Sequence, residues 1–440
     1  MRPKVLVRYL ALAALVWAAG RPGFSAVRPP KVLRSGRLER VGDTAVVYLQ
    51  GTSYEMGVQQ AMALREPLRE LVQAYLYGRF VLEKGAEHFW LLAQARLIEA
   101  DVPHNLKQEL RGIADGAGLS YQDVLLLNTI PDLLALAHRS PSAALSPALF
   151  SPPPEGPVPS SPKAQSTAFA GWGDATEGGA LLLAHSLEVD DSEWLRKYLV
   201  IAVRQPDNGN ASVSVNLAGS VGVWAGMNEE TIAVALASSP SVDVASAGGL
   251  PLPFLLRSAL DSCGDLDAVS LLLLSAERLY GGNVIVADGK APRAVAIELS
   301  AHRQAVFPGE PAGGLLVRTN HFLDPGLVPG QVGVLAEPER QASEMRLITV
   351  LSWLETNRGW IGVDKALALL QEVGSGFGPN AESRTLRSLL FVPADAALWL
   401  AEGGIQAGSA VCPGGKDHRG VFVRLQFPAL ALRGSRGALP

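Results

Sequence analysis

The sequence predicts an α+β protein in which a sheet sandwich carries helices on its outside. Three observations predict it: a mainly helical first third, a proline-rich break, and strand-rich blocks interleaved with helix pairs over the remainder. Of the 440 residues, 48% are apolar and 18% charged, a globular composition too poor in charge for a disordered chain. That length suits one large α/β domain or two to three smaller ones, so the domain count stays open. A net charge of −4 gives no basic footprint for nucleic acid or an anionic membrane surface. A small-molecule partner is the expectation.

The first element is a targeting segment over residues 1–26. Arg2, Lys4 and Arg8 precede an apolar run from Tyr9 to Ala19, and small residues follow at Ser25 and Ala26. About 11 apolar residues fall short of the ~20 that span a bilayer, so the chain is expected to be secreted or periplasmic, with no stable membrane span. Residues 27–139 form a mainly helical segment. A short strand at Thr44 to Gln50 opens it, Tyr54 to Leu76 and Asn105 to Gly118 carry helical spacing, and Ser120 with Asp123 caps a further helix. Between 140 and 165 eight prolines from Pro141 to Pro162 are mixed with serine. Proline at that density removes backbone donors and fixes φ, which leaves an exposed linker, either a spacer or a segment at which a precursor is divided.

From 166 to 440 strands dominate. Runs at Thr167 to Gly173, Ala180 to Val189, Tyr198 to Gln205, Ala211 to Ala218, Val221 to Gly226 and Ile232 to Ala237 are separated by turn signals and predict antiparallel hairpins. Helices are predicted at Asp265 to Leu279, Glu337 to Thr356 and Val363 to Val373. Further strands are predicted at Asn283 to Ala287, Ala294 to Leu299, Leu315 to Thr319, Leu386 to Val392, Ala397 to Ala401 and Val421 to Phe427. Trp172 and Trp224 fall on strands and read as core. The two cysteines, Cys263 and Cys412, have no metal-type spacing, although they could pair in an oxidising compartment.

No GxSxG elbow, HExxH, phosphate loop or GxGxxG is present. What stands out is the junction at Gln165-Ser166-Thr167, where the linker runs straight into a strand. The run STAFAGWGDAT from Ser166, then AHSLEV (Ala184 to Val189) and SVNLAGSVGVWAGMNEETIAVAL (Ser214 to Leu236), resembles a known family. That family is the autoproteolytic acyltransferase/hydrolase family of isopenicillin-N (acyl-coenzyme A:6-aminopenicillanate) acyltransferase, within the N-terminal-nucleophile (Ntn) hydrolases. GTSYEMG (Gly51 to Gly57), ELRGIADGAGLSYQDVLLLN (Glu109 to Asn128) and RTNHFLD (Arg318 to Asp324) extend the resemblance over most of the chain from about 45 to 427.

The resemblance implies a four-layer αββα fold, made as a precursor that cuts itself before Ser166 and uses the new terminus as nucleophile. The small chain would end at Gln165, and the substrate would be an acyl amide or thioester, with no metal or cofactor. The family has cysteine where this chain has Ser166. Serine remains competent, because a free α-amine with an unperturbed pKa of about 7.7–8.0 can accept its proton. The resemblance further implies that Asn320 stabilises the oxyanion and that Arg384 is the site arginine. Glu188 stands where the family has Asp in an RNxD pattern, and His185 and Ser186 replace its Arg-Asn. Two alternatives remain open: a non-processing relative that acts as a binding protein, and a conventional serine hydrolase using His321 or His185.

Overall fold

The computed structural model describes residues 36–41, 44–83, 88–139, 165–189, 192–245, 248–310, 312–332, 334–374, 385–402 and 422–427. The expected targeting segment, the linker up to residue 164, Arg384 and Cys412 lie outside the described residues. Among the described residues no helix is long and apolar enough to cross a membrane.

The chain begins with strands β1 (Arg37–Val41) and β2 (Thr44–Gly51). Helices follow: α1 (Ser53–Ala63), α2 (Arg65–Glu70), α3 (His88–Asp101), α4 (His104–Ala117) and α5 (Tyr121–Arg139), with a π-helical stretch at Leu71–Glu83. Local chemistry explains their ends. Thr52 and Glu55 form a reciprocal capping box at the start of α1, Gly118 ends α4 in the left-handed region at φ 67°, and the Ser120 hydroxyl accepts from Asp123 N–H at 3.0 Å.

The second part contributes β3 (Gln165–Gly173), β4 (Gly179–Glu188), the short helix α6 (Ser192–Leu195), β5 (Leu199–Pro206), β6 (Ser212–Leu217), β7 (Ala225–Asn228) and β8 (Ile232–Ser238). Then come α7 (Leu252–Ser262), α8 (Leu266–Ser275), β9 (Gly282–Asp288), β10 (Arg293–Leu299), β11 (Gln304–Pro308) and β12 (Gly313–Arg318). The last elements are α9 (Glu337–Thr356), α10 (Val363–Gly374), β13 (Thr385–Val392), β14 (Ala397–Glu402) and β15 (Val423–Gln426).

These strands make two sheets. One has nine strands in the order β1-β2-β5-β6-β7-β8-β9-β10-β11, and the other six in the order β12-β3-β4-β13-β14-β15. Strand alternation sorts each side chain to one face. Ala168, Ala170 and Trp172 of β3, Leu181 and Leu183 of β4, and Leu389 and Phe391 of β13 meet Val213, Val215, Ala233 and Ala235 of the facing sheet. On the other face of the six-stranded sheet, Phe169, Leu182, Ala184 and Leu390 pack against Val350, Leu354, Leu369 and Leu370 of α9 and α10. The nine-stranded sheet is covered on its outer face by α7 and α8 and by the first helices. This is the expected αββα layering.

The N-terminal segment is more than a helical appendage. Its β2 pairs in parallel with β5, so residues before the expected scission supply two strands of the nine-stranded sheet. Helices α1 and α4 cross at their glycines: a Cβ on Gly57 would stand 2.1 Å from Glu109 O, and one on Gly112 would stand 2.1 Å from Tyr54 O. That crossing delivers the Glu109 side chain, 0% exposed, to Arg204 of β5 and Arg257 of α7, with contacts of 3.2 and 2.8 Å.

Candidate active site

Ser166 occupies the second position of β3, an interior strand of the six-stranded sheet, and is 1% exposed. Its parity with Ala168 and Ala170 aims the side chain between the sheets, and its hydroxyl has no hydrogen-bond partner. Its backbone N–H donates to Asn320 Oδ1 at 2.9 Å. Two residues far apart in sequence thus meet.

Asn320 lies just beyond β12, which pairs antiparallel with β3. Its position is fixed from several sides. Its own N–H donates to Ser343 Oγ at 2.8 Å, and Asn283 Nδ2 donates to both flanking carbonyls, of Thr319 and His321, at 2.8 Å each. Buried Glu298 accepts from Leu323 and Asp324 N–H at 2.9 and 3.0 Å and pairs with Arg318. Asn320 Nδ2 donates to Ser238 O of β8 at 2.8 Å, so in the uncut chain this donor faces a carbonyl of the other sheet.

A buried arginine, Arg346 of α9, stands beside this pair. Its Nη2 donates to Asn320 Oδ1 at 2.7 Å and its Nη1 donates to the side-chain oxygen of Gln165. One guanidinium therefore touches both the residue before the Gln165–Ser166 bond and the amide that holds the nitrogen after it. Burial lowers the Arg346 pKa, while the charge of Glu188 works to raise it. Glu188 ends β4 opposite Gln165, on the helix-facing side, so the structure brings Ser166, Asn320, Glu188 and Arg346 together.

The two candidate histidines differ from each other. His321 Nδ1 lies 2.8 Å from Ser343 Oγ and 3.1 Å from Thr319 Oγ1, within the network that fixes Asn320, and burial lowers its pKa. His185 lies between the sheets on the same face as Ser166. Its Nε2 is 3.0 Å from Leu236 O and its Nδ1 has no partner. Burial, aided by the positive charge of Arg387, lowers the His185 pKa to about 3. A base that weak is neutral at pH 7 but takes up a serine proton poorly. Trp172 is wholly buried in the inter-sheet core and Trp224 is partly buried just before β7, while Cys263 is a buried, free thiol beneath α7.

With this geometry in place, the comparisons with known proteins gain a meaning. Residues 191–404 match the family described as acyl-coenzyme A:6-aminopenicillanic acid acyl-transferase. Over that stretch, just under half of the chain, the sequence is similar to this family. The match begins after Ser166 and Glu188 and takes in Asn320, Arg346 and Arg387. An uncharacterized protein of Archaeoglobus fulgidus is 27% identical over 354 residues, which is 73% of this chain and 57% of that protein. Protein dcd1B of Dictyostelium discoideum is 21% identical over 363 residues, 73% of this chain and 67% of its own. The chain thus spans little more than half the length of the first of these relatives. Among solved structures, a Caenorhabditis elegans N-acylethanolamine-hydrolyzing acid amidase ortholog aligns at TM-score 0.39 and 16% identity, covering 52% of this chain and 93% of that one. A mutant form of the conjugated bile acid hydrolase from Clostridium perfringens aligns at 0.40 and 12%, covering 60% and 94%. The layering described above rests on the chain's own sheets.

Proposed function

We propose that the chain is an exported, self-processing Ntn amidohydrolase or acyltransferase whose nucleophile is Ser166. The observation that carries this reading is the clamp on the Gln165–Ser166 peptide: Asn320 Oδ1 accepts its N–H at 2.9 Å, and Arg346 donates both to that same oxygen and to the Gln165 side chain. A buried peptide gripped on both sides beside a hydroxyl without a partner is arranged for an N-to-O shift.

In the first stage Ser166 Oγ attacks the Gln165 carbonyl carbon, the C–N bond breaks, and the hydroxyl proton passes to the departing nitrogen. Water then hydrolyses the ester and leaves a Gln165 carboxylate and a free Ser166 amine. In the second stage that amine is the base. Asn320 Oδ1 takes one of its N–H groups, which turns the lone pair toward Oγ, and the neighbouring Arg346 charge favours the unprotonated form. Since Asn320 Nδ2 already serves Ser238 O, we assign Asn320 to the amine rather than to the oxyanion. Substrate acylates Ser166, and water or an amine removes the acyl group. Against His185 as base stands a pKa near 3, whereas the α-amine begins at about 7.7–8.0.

N-terminal sequencing of purified protein tests the reading. Two fragments are expected, the larger beginning Ser166-Thr167-Ala168, with Ser166→Ala giving one full-length band and no acyl release. Wild-type protein that stays whole on prolonged incubation while releasing acyl groups overturns it.

A further inference from the structure

Arg387 of β13 is 1% exposed, and among the described residues no carboxylate pairs with it. Its Nη1 donates to Val215 O on the facing sheet, and its Nε and Nη2 have no partner. Two unsatisfied donors on a buried cation call for an explanation, because desolvating such a group without a partner is costly. Burial lowers the Arg387 pKa to about 9, which still leaves it charged at neutral pH.

The identity of the two free groups is informative. Nε–H and the outer N–H of Nη2 lie along one edge of the planar guanidinium and point the same way, which is the edge that takes two carboxylate oxygens in parallel. The remaining nitrogen, Nη1, is held by Val215 O, so that edge is fixed in orientation.

Its place relative to the nucleophile follows from strand register. Ser166 pairs with Leu187, and Leu187 pairs with Arg387, so the three form one row across β3, β4 and β13. Alternation puts the row on the face that looks toward the nine-stranded sheet, where His185 meets Leu236 O and Arg387 meets Val215 O. Two strand spacings separate the serine from the arginine, about 10 Å at Cα. The arginine side chain and the first few atoms of a substrate close that gap.

We propose that Arg387 binds a carboxylate carried by the substrate, so that the molecules taken at Ser166 are N-acyl amino acids, whose carboxylate is three bonds from the scissile carbon. A coenzyme A thioester fits less well, because the pantetheine arm holds its phosphates far from the reacting carbonyl. The proposal rests on the reading of Ser166 as nucleophile. In the uncut chain Ser166 and Arg387 are equally buried, so whatever admits substrate to one admits it to the other.

The test uses N-decanoylglycine and its neutral counterpart N-decanoylglycinamide, with binding to the purified full chain measured by calorimetry and decanoate release measured alongside. Wild-type protein is expected to bind the acid about 10- to 100-fold more tightly than the amide, as a charged hydrogen-bonded pair supplies. Arg387→Met should collapse that ratio toward one, and Arg387→Lys, which keeps the charge and loses the fork, should fall between. Equal affinity of wild-type protein for the two probes overturns the proposal, whatever the variants do. So does an Arg387→Met protein that retains the wild-type ratio. Decanoate release without preference for the acid sinks the carboxylate site and leaves the Ser166 reading standing. Preference for the acid without release from either probe does the reverse.

Discussion

Two sets of buried arginines divide the molecule. At the contact between the N-terminal helices and the nine-stranded sheet, Arg204 and Arg257 are each 1% exposed, and both meet Glu109, with Asp261 pairing Arg257 at 2.8 Å as well. In the other set, Arg387 is buried as deeply beside neutral His185 with no described carboxylate in contact. The first set balances its charge within the chain, and its effect is to bind residues before the expected scission to residues after it. The second leaves Nε and Nη2 of a cation and one imidazole nitrogen without partners between the sheets, in the neighbourhood of Ser166. Matched burial reads as structure and unmatched burial as a site for something the chain does not itself contain.

Breaking the match should have the largest effect. Burial alone would raise the Glu109 pKa, but the charges of Arg257 and then Arg204 bring it below the ordinary value. Glu109→Gln leaves two buried cations short of a partner and should destabilise the chain by about 3–5 kcal/mol in chemical denaturation. Because the folded pKa is depressed, the carboxylate's contribution is present above its unfolded pKa and is lost as pH falls through the folded one. The destabilisation by Glu109→Gln should therefore shrink in acid. If the chain is cut, the variant should also shed its small chain more readily on a sizing column. Equal stability of variant and wild-type protein at neutral pH would mean that Glu109 does not balance Arg204 and Arg257.

His185 sharpens the other side. Its pKa is about 3 folded against 6.5 unperturbed, so the unfolded state binds a proton that the native state refuses. Stability tied to this residue is full above 6.5 and drains away as pH falls toward 3. By pH 5 the loss should be about 2 kcal/mol relative to neutral pH. His185→Gln should flatten that limb of the stability curve, measured as denaturation midpoints between pH 7 and pH 5. An unchanged slope would mean that His185 is not held neutral by its surroundings.

How much of this was legible in sequence depended on the range of the interaction. Local chemistry was readable: the Ser120–Asp123 cap, the Gly118 stop and the α9 and α10 spans all fall where the pattern places them. Ser166 and Asn320 were visible as motif residues, although nothing local to either reveals their 2.9 Å contact. Arg346 was missed because α9 also carries Arg340, and a charged helix does not show which arginine turns inward. The fold decides it, with Arg340 paired to Glu337 on the surface and Arg346 4% exposed. Helix α7 and strands β1 and β11 were also missed, while α3 falls inside the stretch read as mainly helical without being marked out in it. The exposed, charged run Arg37–Val41 and the alternately exposed Gln304–Pro308 become strands through the ladders they join.

The smallest effect separates support of the fold from chemistry. Thr52 caps α1 by accepting from Glu55 N–H, while Glu55 Oε2 accepts from Thr52 N–H at 2.9 Å. This box anchors the helix whose Gly57 lets α4 approach, and so it lies behind the placement of Glu109. Thr52→Ala leaves the N-terminal donors of α1 to water and should lower stability by about 1 kcal/mol. If the chain cuts itself as proposed, the rate at which new N-termini form at Ser166 should not change, because no bond of the Gln165–Ser166 clamp runs through α1. A time course of fragment formation, set beside a denaturation curve, reads both quantities from one preparation. A slowed scission would mean that the N-terminal helices take part in the chemistry, and the line between matched and unmatched arginines would no longer separate structure from function.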